Sequence, residues 1–221
     1  METEQVKQRT EDWLKLRRGK FTASEIYKLI GTGKNPSKFG NNLSDWAETA
    51  QTYIKSKVAE YFSEQSQEIT SVEMRWGIEQ EPVARAYYEG VFVEEIEEIG
   101  FILWPENNLC GCSPDGLVKG KDRGIEIKCP YNLEPHLEAL LIRSNDEFKA
   151  MKPMYYWQVM SSMLFTGYNV WDFVSYHPYF NKDKRITSIE IVSDENAFLI
   201  LKERLLSAIH VRNELIKQVN L

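Results

Sequence analysis

The sequence predicts an α/β (α+β) fold in which a central mixed β-sheet is flanked by helices, and three observations predict it. Apolar residues recur at helical spacing through 45–62, 73–89 and 194–219. From residue 91 the texture changes to short runs rich in β-branched and aromatic residues, which suit strands. Pro-Asp-Gly at 114–116 and Gly-Lys-Asp-Arg-Gly at 120–124 separate those runs with turn chemistry.

Residues 11–30 form the first ordered unit, in which Thr22-Ala23-Ser24-Glu25 precedes the apolar Ile26, Leu29 and Ile30. Thr22 and Glu25 fit a capping box, where hydroxyl and carboxylate satisfy the free N–H groups of a helix start. Gly31-Thr32-Gly33-Lys34-Asn35-Pro36 ends the unit in a loop, without the spacing of a phosphate loop. Helices are expected at 45–62 and at 73–89, before Gly90. Residues 91–104 read as strand with Gly100 as a bend, and 109–113 and 124–129 as two more strands. Two helices (134–142, 146–165) and a strand pair (169–176, 185–191) come next, the pair joined by a turn at 178–184. The segment 194–219 is a long amphipathic helix through Phe198, Leu201, Leu205, Ile209 and Leu215, with Asp194 and Glu195 suiting the dipole at its start. The expected organisation is one domain over 1–221, with a helical part (1–90), a sheet core (91–192) and the C-terminal helix (194–219).

Composition bounds the partners. Hydrophobic residues make up 43% and charged residues 27% of the 221, ordinary for a globular chain. No window holds the roughly 18 consecutive apolar residues of a membrane helix, so no membrane partner is expected. The polar first nine residues suggest no secretion signal. Cys110, Cys112 and Cys129 are too few for a disulfide framework and suggest a reducing, cytoplasmic setting. They also fall short of the four ligands of a structural zinc or iron–sulfur site, and read as small buried residues on strands. The net charge of −6 argues against nucleic-acid binding by bulk electrostatics, but local patches decide affinity.

The chemistry concentrates in Ser113-Pro114-Asp115-Gly116 and Ile125-Glu126-Ile127-Lys128. Alternation on a strand puts Glu126 and Lys128 on one face and the two isoleucines on the other. An antiparallel return through 119–123 brings Asp115 toward Glu126. Two carboxylates and an ammonium are expensive to gather on a half-buried sheet, and a hard cation such as magnesium resolves the repulsion. The Ile127 carbonyl lies between the pair as a further ligand, with Lys128 beside it to orient or deprotonate a water. Taken alone, Asp with Glu-x-Lys reads more readily as a surface ion pair on an edge strand. The strand–turn–strand setting and the interleaved isoleucines favour the site.

Asp115, Glu126-x-Lys128, Trp76-Gly77-x-x-x-Glu81 and Arg17-x-Gly19-x-x-Thr22-Ala23-Ser24 stand in one order and spacing. Together they resemble the lambda exonuclease family, the phage alkaline exonucleases or YqaJ-like viral recombinases of the PD-(D/E)xK nuclease superfamily. The resemblance runs from about residue 13 to residue 179 and implies a restriction-endonuclease-like core. It implies that Asp115 and Glu126 bind metal, that Lys128 is the catalytic lysine, and that Glu81 contacts a second ion or its water. Gln158, in Tyr155-x-x-Gln158, matches a glutamine at the catalytic site, and Arg17 and Ser24 match residues that hold the DNA 5′-phosphate. A helix start at Ser24 and a bidentate Arg17 suit a phosphate on physical grounds as well.

The resemblance further implies Mg²⁺ (with Mn²⁺ as the other candidate), two ions per site, and a ring-shaped homotrimer on linear double-stranded DNA. The expected activity is 5′-to-3′ exodeoxyribonuclease, leaving 3′ tails for a phage single-strand annealing protein in the cytoplasm of a bacterial host. An endonuclease of the same fold and a non-catalytic DNA-binding protein are the alternatives. Glu79, on another helical face, is expected to be a bystander; Trp13 and Trp76 read as core anchors, and His136, His177 and His210 are given no role. The loop at 33–44 and the C-terminal helix have no counterpart in the family pattern.

Overall fold

The strands divide between two mixed sheets, and helices cover both. In the computed structural model, residues 3–4, 6–31, 40–64 and 71–221 are described. The 32–39 part of the loops expected at 31–36 and 33–44 lies outside them. The smaller sheet orders β1 (Thr3–Glu4), β4 (Phe101–Trp104), β5 (Asn107–Cys112) and β2 (Phe21–Thr22). The larger orders β3 (Ile96–Glu97), β6 (Gly116–Val118), β7 (Arg123–Lys128), β8 (Val170–Tyr176) and β9 (Ile186–Val192). β7 and β8 are parallel, with Glu126 opposite Phe173 and Lys128 opposite Ser175. A parallel pair needs a long crossover, and three helices supply it: α5 (Glu134–Leu141), α6 (Asn145–Met151) and α7 (Pro153–Thr166).

The larger sheet is covered on both faces. On one, Ile125, Ile127, Val118 and Val174 pack beneath Ala84 and Tyr88 of α4 (Val72–Phe92). On the other, Trp171, Phe173, Ile189 and Ile191 join the main core with α7 and α8 (Glu195–Val219). α7 touches β4 and β5 of the smaller sheet, β8 of the larger, and α2 (Tyr27–Ile30) and α8. Mostly apolar around its circumference, α7 belongs inside, and its buried residues between Tyr156 and Phe165 include one amide, Gln158, beside Ser161 and Ser162. α1 (Glu11–Arg17) and α3 (Glu48–Phe62) complete the helices; Thr10 caps α1, accepting from the Trp13 N–H.

Several expectations change. The expected strand 91–104 begins as helix, because α4 continues through Gly90 to Phe92, whose ring packs 4.7 Å from that of Tyr88. Val93 then takes the left-handed region (φ 57°), and the remainder splits into β3 and β4, one in each sheet. The helix expected at 146–165 breaks at Lys152, since Pro153 has no N–H to continue the ladder and instead opens α7. The capping box at Thr22 does not form: Thr22 makes no side-chain cap bond, and Glu25 pairs with Lys28 and Lys57 instead. After Thr22 the chain makes a 3₁₀ turn (Ala23–Glu25) and then the four-residue α2. His136 and His177 are fully buried. The three cysteines are buried, Cys110 and Cys112 on β5, and burial raises each thiol, that of Cys129 to about 12. Among the described residues no helix is long and apolar enough to cross a membrane.

Gly124 is where β7 meets the Trp171 ring across the parallel pair, and a Cβ there would collide with the indole. Gly124→Ala should cost about 1–3 kcal/mol of overpacking, read as a lower urea midpoint at unchanged slope.

Candidate active site

The chain passes from the smaller sheet to the larger between Cys112 and Gly116, and Asp115 sits in that passage. Gly116 pairs with Ile125 across the antiparallel β6–β7 ladder, which brings Asp115 level with the Glu126 end of β7. The Ile127 N–H donates to Asp115 Oδ2 at 2.6 Å. Glu126, 2% exposed, accepts on Oε1 from Lys128 Nζ at 2.5 Å and from Gln158 Nε2 at 2.6 Å. Asp115 Oδ1 and Glu126 Oε2 have no protein donor among the described residues.

Burial raises the Asp115 carboxyl well above its ordinary range, and Glu126 raises it further while Lys128 opposes. Burial likewise raises Glu126, against the pull of Lys128. Burial alone would lower Lys128, but Glu126 and Asp115 outweigh it and hold the ammonium above its usual value. Lys128 is therefore a cation here, suited to orienting a water or an oxyanion. Its Nζ also stands 5.3 Å from the centre of the Tyr155 ring.

Glu81 projects from α4 into the same cleft, whereas Glu79 is exposed on another face. Arg85, one turn on, donates from Nη2 to Glu81 Oε1 at 2.9 Å and from Nε to the main-chain carbonyl of Asp115 at 3.0 Å. The second oxygen, Oε2, pairs with Arg9.

On the other wall stand Arg17 and Ser24. The Arg17 guanidinium lies 4.1 Å from the centre of the Trp13 ring and donates to Ser113 Oγ at 3.1 Å. Trp13 Nε1 donates to the same hydroxyl at 2.9 Å and to the Gly100 carbonyl at 3.1 Å. Burial lowers the Arg17 guanidinium from its usual value. Ser24 is exposed in the cleft beside Thr22. The short α2 offers little dipole, so the helix-terminus part of the phosphate expectation falls away; the hydroxyls of Ser24 and Ser113 and the guanidinium of Arg17 remain.

Every residue expected at the site (Arg17, Ser24, Glu81, Asp115, Glu126, Ile127, Lys128, Gln158) lines one open cleft of about 1180 Å³. Sequence reasoning missed Arg9 and Arg85, and it named Ser113 in the motif without giving it a role. Trp13 and Arg17 are i, i+4 on α1, a spacing that puts side chains in contact, so Trp13 is a half-buried shelf for Arg17 rather than a core anchor. Trp76 is also half-buried, its Nε1 donating to the Pro130 carbonyl at 3.1 Å beside Tyr131 and Tyr179.

Among the described residues no three His, Cys, Asp or Glu side chains gather as a metal cage. The donors at Asp115, Glu126 and the Ile127 carbonyl are all hard oxygens, and the two carboxylates repel. That set fits one magnesium-like cation that keeps several waters. Glu81 fits a second ion less well, since each of its oxygens already faces a guanidinium.

A YqaJ-like viral recombinase domain matches residues 12–169 of the chain. An alkaline exonuclease from Laribacter hongkongensis superposes with a TM-score of 0.80 at 29% identity, over 96% of this chain and 96% of that one. The complex of that exonuclease with dAMP gives 0.79 at 30% identity, over 95% and 96%. A phage-related exonuclease from Haemophilus somnus gives 0.71 at 18% identity over 90% and 96%, a likeness of fold. No curated protein matches the chain.

Arg85 and Glu81 are both about one-tenth exposed, so removing the arginine leaves a carboxylate in a poor solvent. Arg85→Ala should cost about 3 kcal/mol, the low end for halving a buried pair, because Arg9 still faces Glu81. A urea midpoint unchanged from wild type would refute this.

Proposed function

The chain belongs to the YqaJ-like viral recombinase family, and on that premise we propose that it is a metal-dependent exodeoxyribonuclease. It degrades the 5′-ended strand of linear double-stranded DNA. The carrying observation is that one cleft holds both the carboxylate pair of Asp115 and Glu126 and the Arg17–Ser24–Ser113 group, which can grip a terminal phosphate. An enzyme that cuts within a strand has no use for an end-reading pocket. The alkaline exonuclease neighbour supports the nuclease part of the reading.

Asp115, Glu126 and the Ile127 carbonyl would hold a magnesium ion, with manganese as the alternative. When bound, such an ion supplies Lewis acidity at the phosphoryl oxygen. Gln158 and Lys128 keep Glu126 Oε1 occupied, which leaves Oε2 as the free ligand atom. Lys128 orients the attacking water and faces the charge developing on phosphorus. Arg17, held over the Trp13 ring, takes the 5′-phosphate in a two-bond fork, and Ser24 and Ser113 add hydroxyl donors. A second ion at Glu81 would have to displace Arg9 or Arg85. The wider reading is a homotrimeric ring on DNA, working with a single-strand annealing protein in phage recombination within a bacterial cytoplasm.

The test is digestion of one labelled duplex as linear 5′-phosphorylated, linear 5′-hydroxyl and closed circular DNA, with magnesium, manganese or chelator. The 5′ strand of the phosphorylated duplex should be lost while the circle survives and chelator stops the reaction. Lys128→Ala should lower kcat by more than about 10²-fold. Cutting of the circle would instead support an endonuclease, and no cutting under any condition would leave a DNA-binding protein. Arg17→Ala should erase the preference for the phosphorylated end, seen as equal KM for the two linear substrates. A preference that persisted would remove Arg17 from that role.

A further inference from the structure

Arg9 holds φ 67°, the left-handed region that non-glycine residues seldom enter. Its neighbours keep it there. Gln8 Nε2 donates to two carbonyls, those of Ile99 and Pro114, each at 2.7 Å. Thr10 Oγ1 donates to the Lys7 carbonyl at 2.8 Å and accepts from the Trp13 N–H at 3.3 Å. The backbone is thus tied on both sides of Arg9, and one tie lands on the residue before Asp115. A non-glycine residue fixed in an unfavourable conformation by its surroundings points toward function.

The consequence is a side chain that enters the cleft. Arg9 lines it, 40% exposed, and pairs through Nη2 with Glu81 Oε2. Its other guanidinium N–H groups have no protein partner among the described residues. Glu81 is anchored on its far oxygen by Arg85, which is bonded in turn to the Asp115 carbonyl. A continuous chain of contacts therefore sets the place of Arg9 relative to Asp115. A guanidinium steadied by a carboxylate, with donors left over in an open cleft, matches what phosphate recognition requires.

We infer that Arg9 contacts the substrate: it binds an internal backbone phosphate of the DNA beside Asp115 and Lys128, distinct from the terminal phosphate at Arg17, with Glu81 as its positioning carboxylate. The inference rests on the proposed reading of the cleft as a DNA site.

Arg9→Gly is the informative variant, because glycine accepts a positive φ without strain and the backbone keeps its path. Binding to a linear 5′-phosphorylated duplex is measured in chelator across a salt series, alongside magnesium-dependent hydrolysis. Arg9→Gly should bind roughly tenfold more weakly, the weight of one charged hydrogen bond. The slope of log K against log salt should shrink by about one, the signature of one lost phosphate contact. KM should rise by a similar factor, and Arg9→Lys should restore most of the slope. Wild-type slope and KM in Arg9→Gly, with wild-type protein that binds and cuts, would overturn the inference alone. A wild type that neither binds nor cuts the duplex would overturn the nuclease reading and the inference with it.

Discussion

The hydrogen bond from the Ile127 N–H to Asp115 Oδ2 is the contact on which the site depends. It ties the passage between the two sheets to the strand that carries Glu126 and Lys128. Burial raises both carboxyls, Glu126 raises Asp115 further and Glu81 raises Glu126, and the fold must offset those costs to keep the pair side by side. The offsets come from separate elements, an N–H and Lys128 from β7 and Gln158 from α7, while Arg85 of α4 holds Glu81 and the Asp115 main-chain carbonyl in place. Packing on both faces of the larger sheet thus serves one local charge problem.

The same cleft resolves the tension between an acidic chain and an anionic substrate. The net charge is −6, yet the cleft itself is balanced: Arg9, Arg17, Arg18, Lys57, Lys128 and Lys152 line it against Glu25, Glu60, Glu73, Glu81, Asp115 and Glu126. The acidic surplus lies elsewhere, and a cation held by Asp115 and Glu126 would tip the cleft toward positive. Burial and the Trp13 shelf fix Arg17 before any ligand arrives, which reduces the ordering cost of binding.

Asp115, Glu126 and Lys128 were legible because period-2 alternation and a turn place them without help from the rest of the fold. The long helices were legible for the same local reason. The split into two sheets was not: 91–104 reads as one apolar run, and only pairing partners reveal that Ile96 and Phe101 lie in different sheets. The box at Thr22 failed because Lys28 and Lys57, the latter far along the chain, claim the carboxylate that local spacing assigned to a cap. His136, given no role from its spacing, is buried and engaged by Ser175 and the Lys184 carbonyl. Arg9 gave no signal at all, since nothing in an arginine codes for a positive φ; two neighbours impose it.

α7 lies between the sheets, and the helix that presents Gln158 to Glu126 also fills the main core with Val159, Met160 and Met163. A helix gripped from both sides cannot loosen by itself. Heat inactivation should then coincide with cooperative melting of the entire chain rather than precede it as local fraying. Residual activity becomes a faithful reporter of the native population, and variants that merely soften the interior will register as lost turnover.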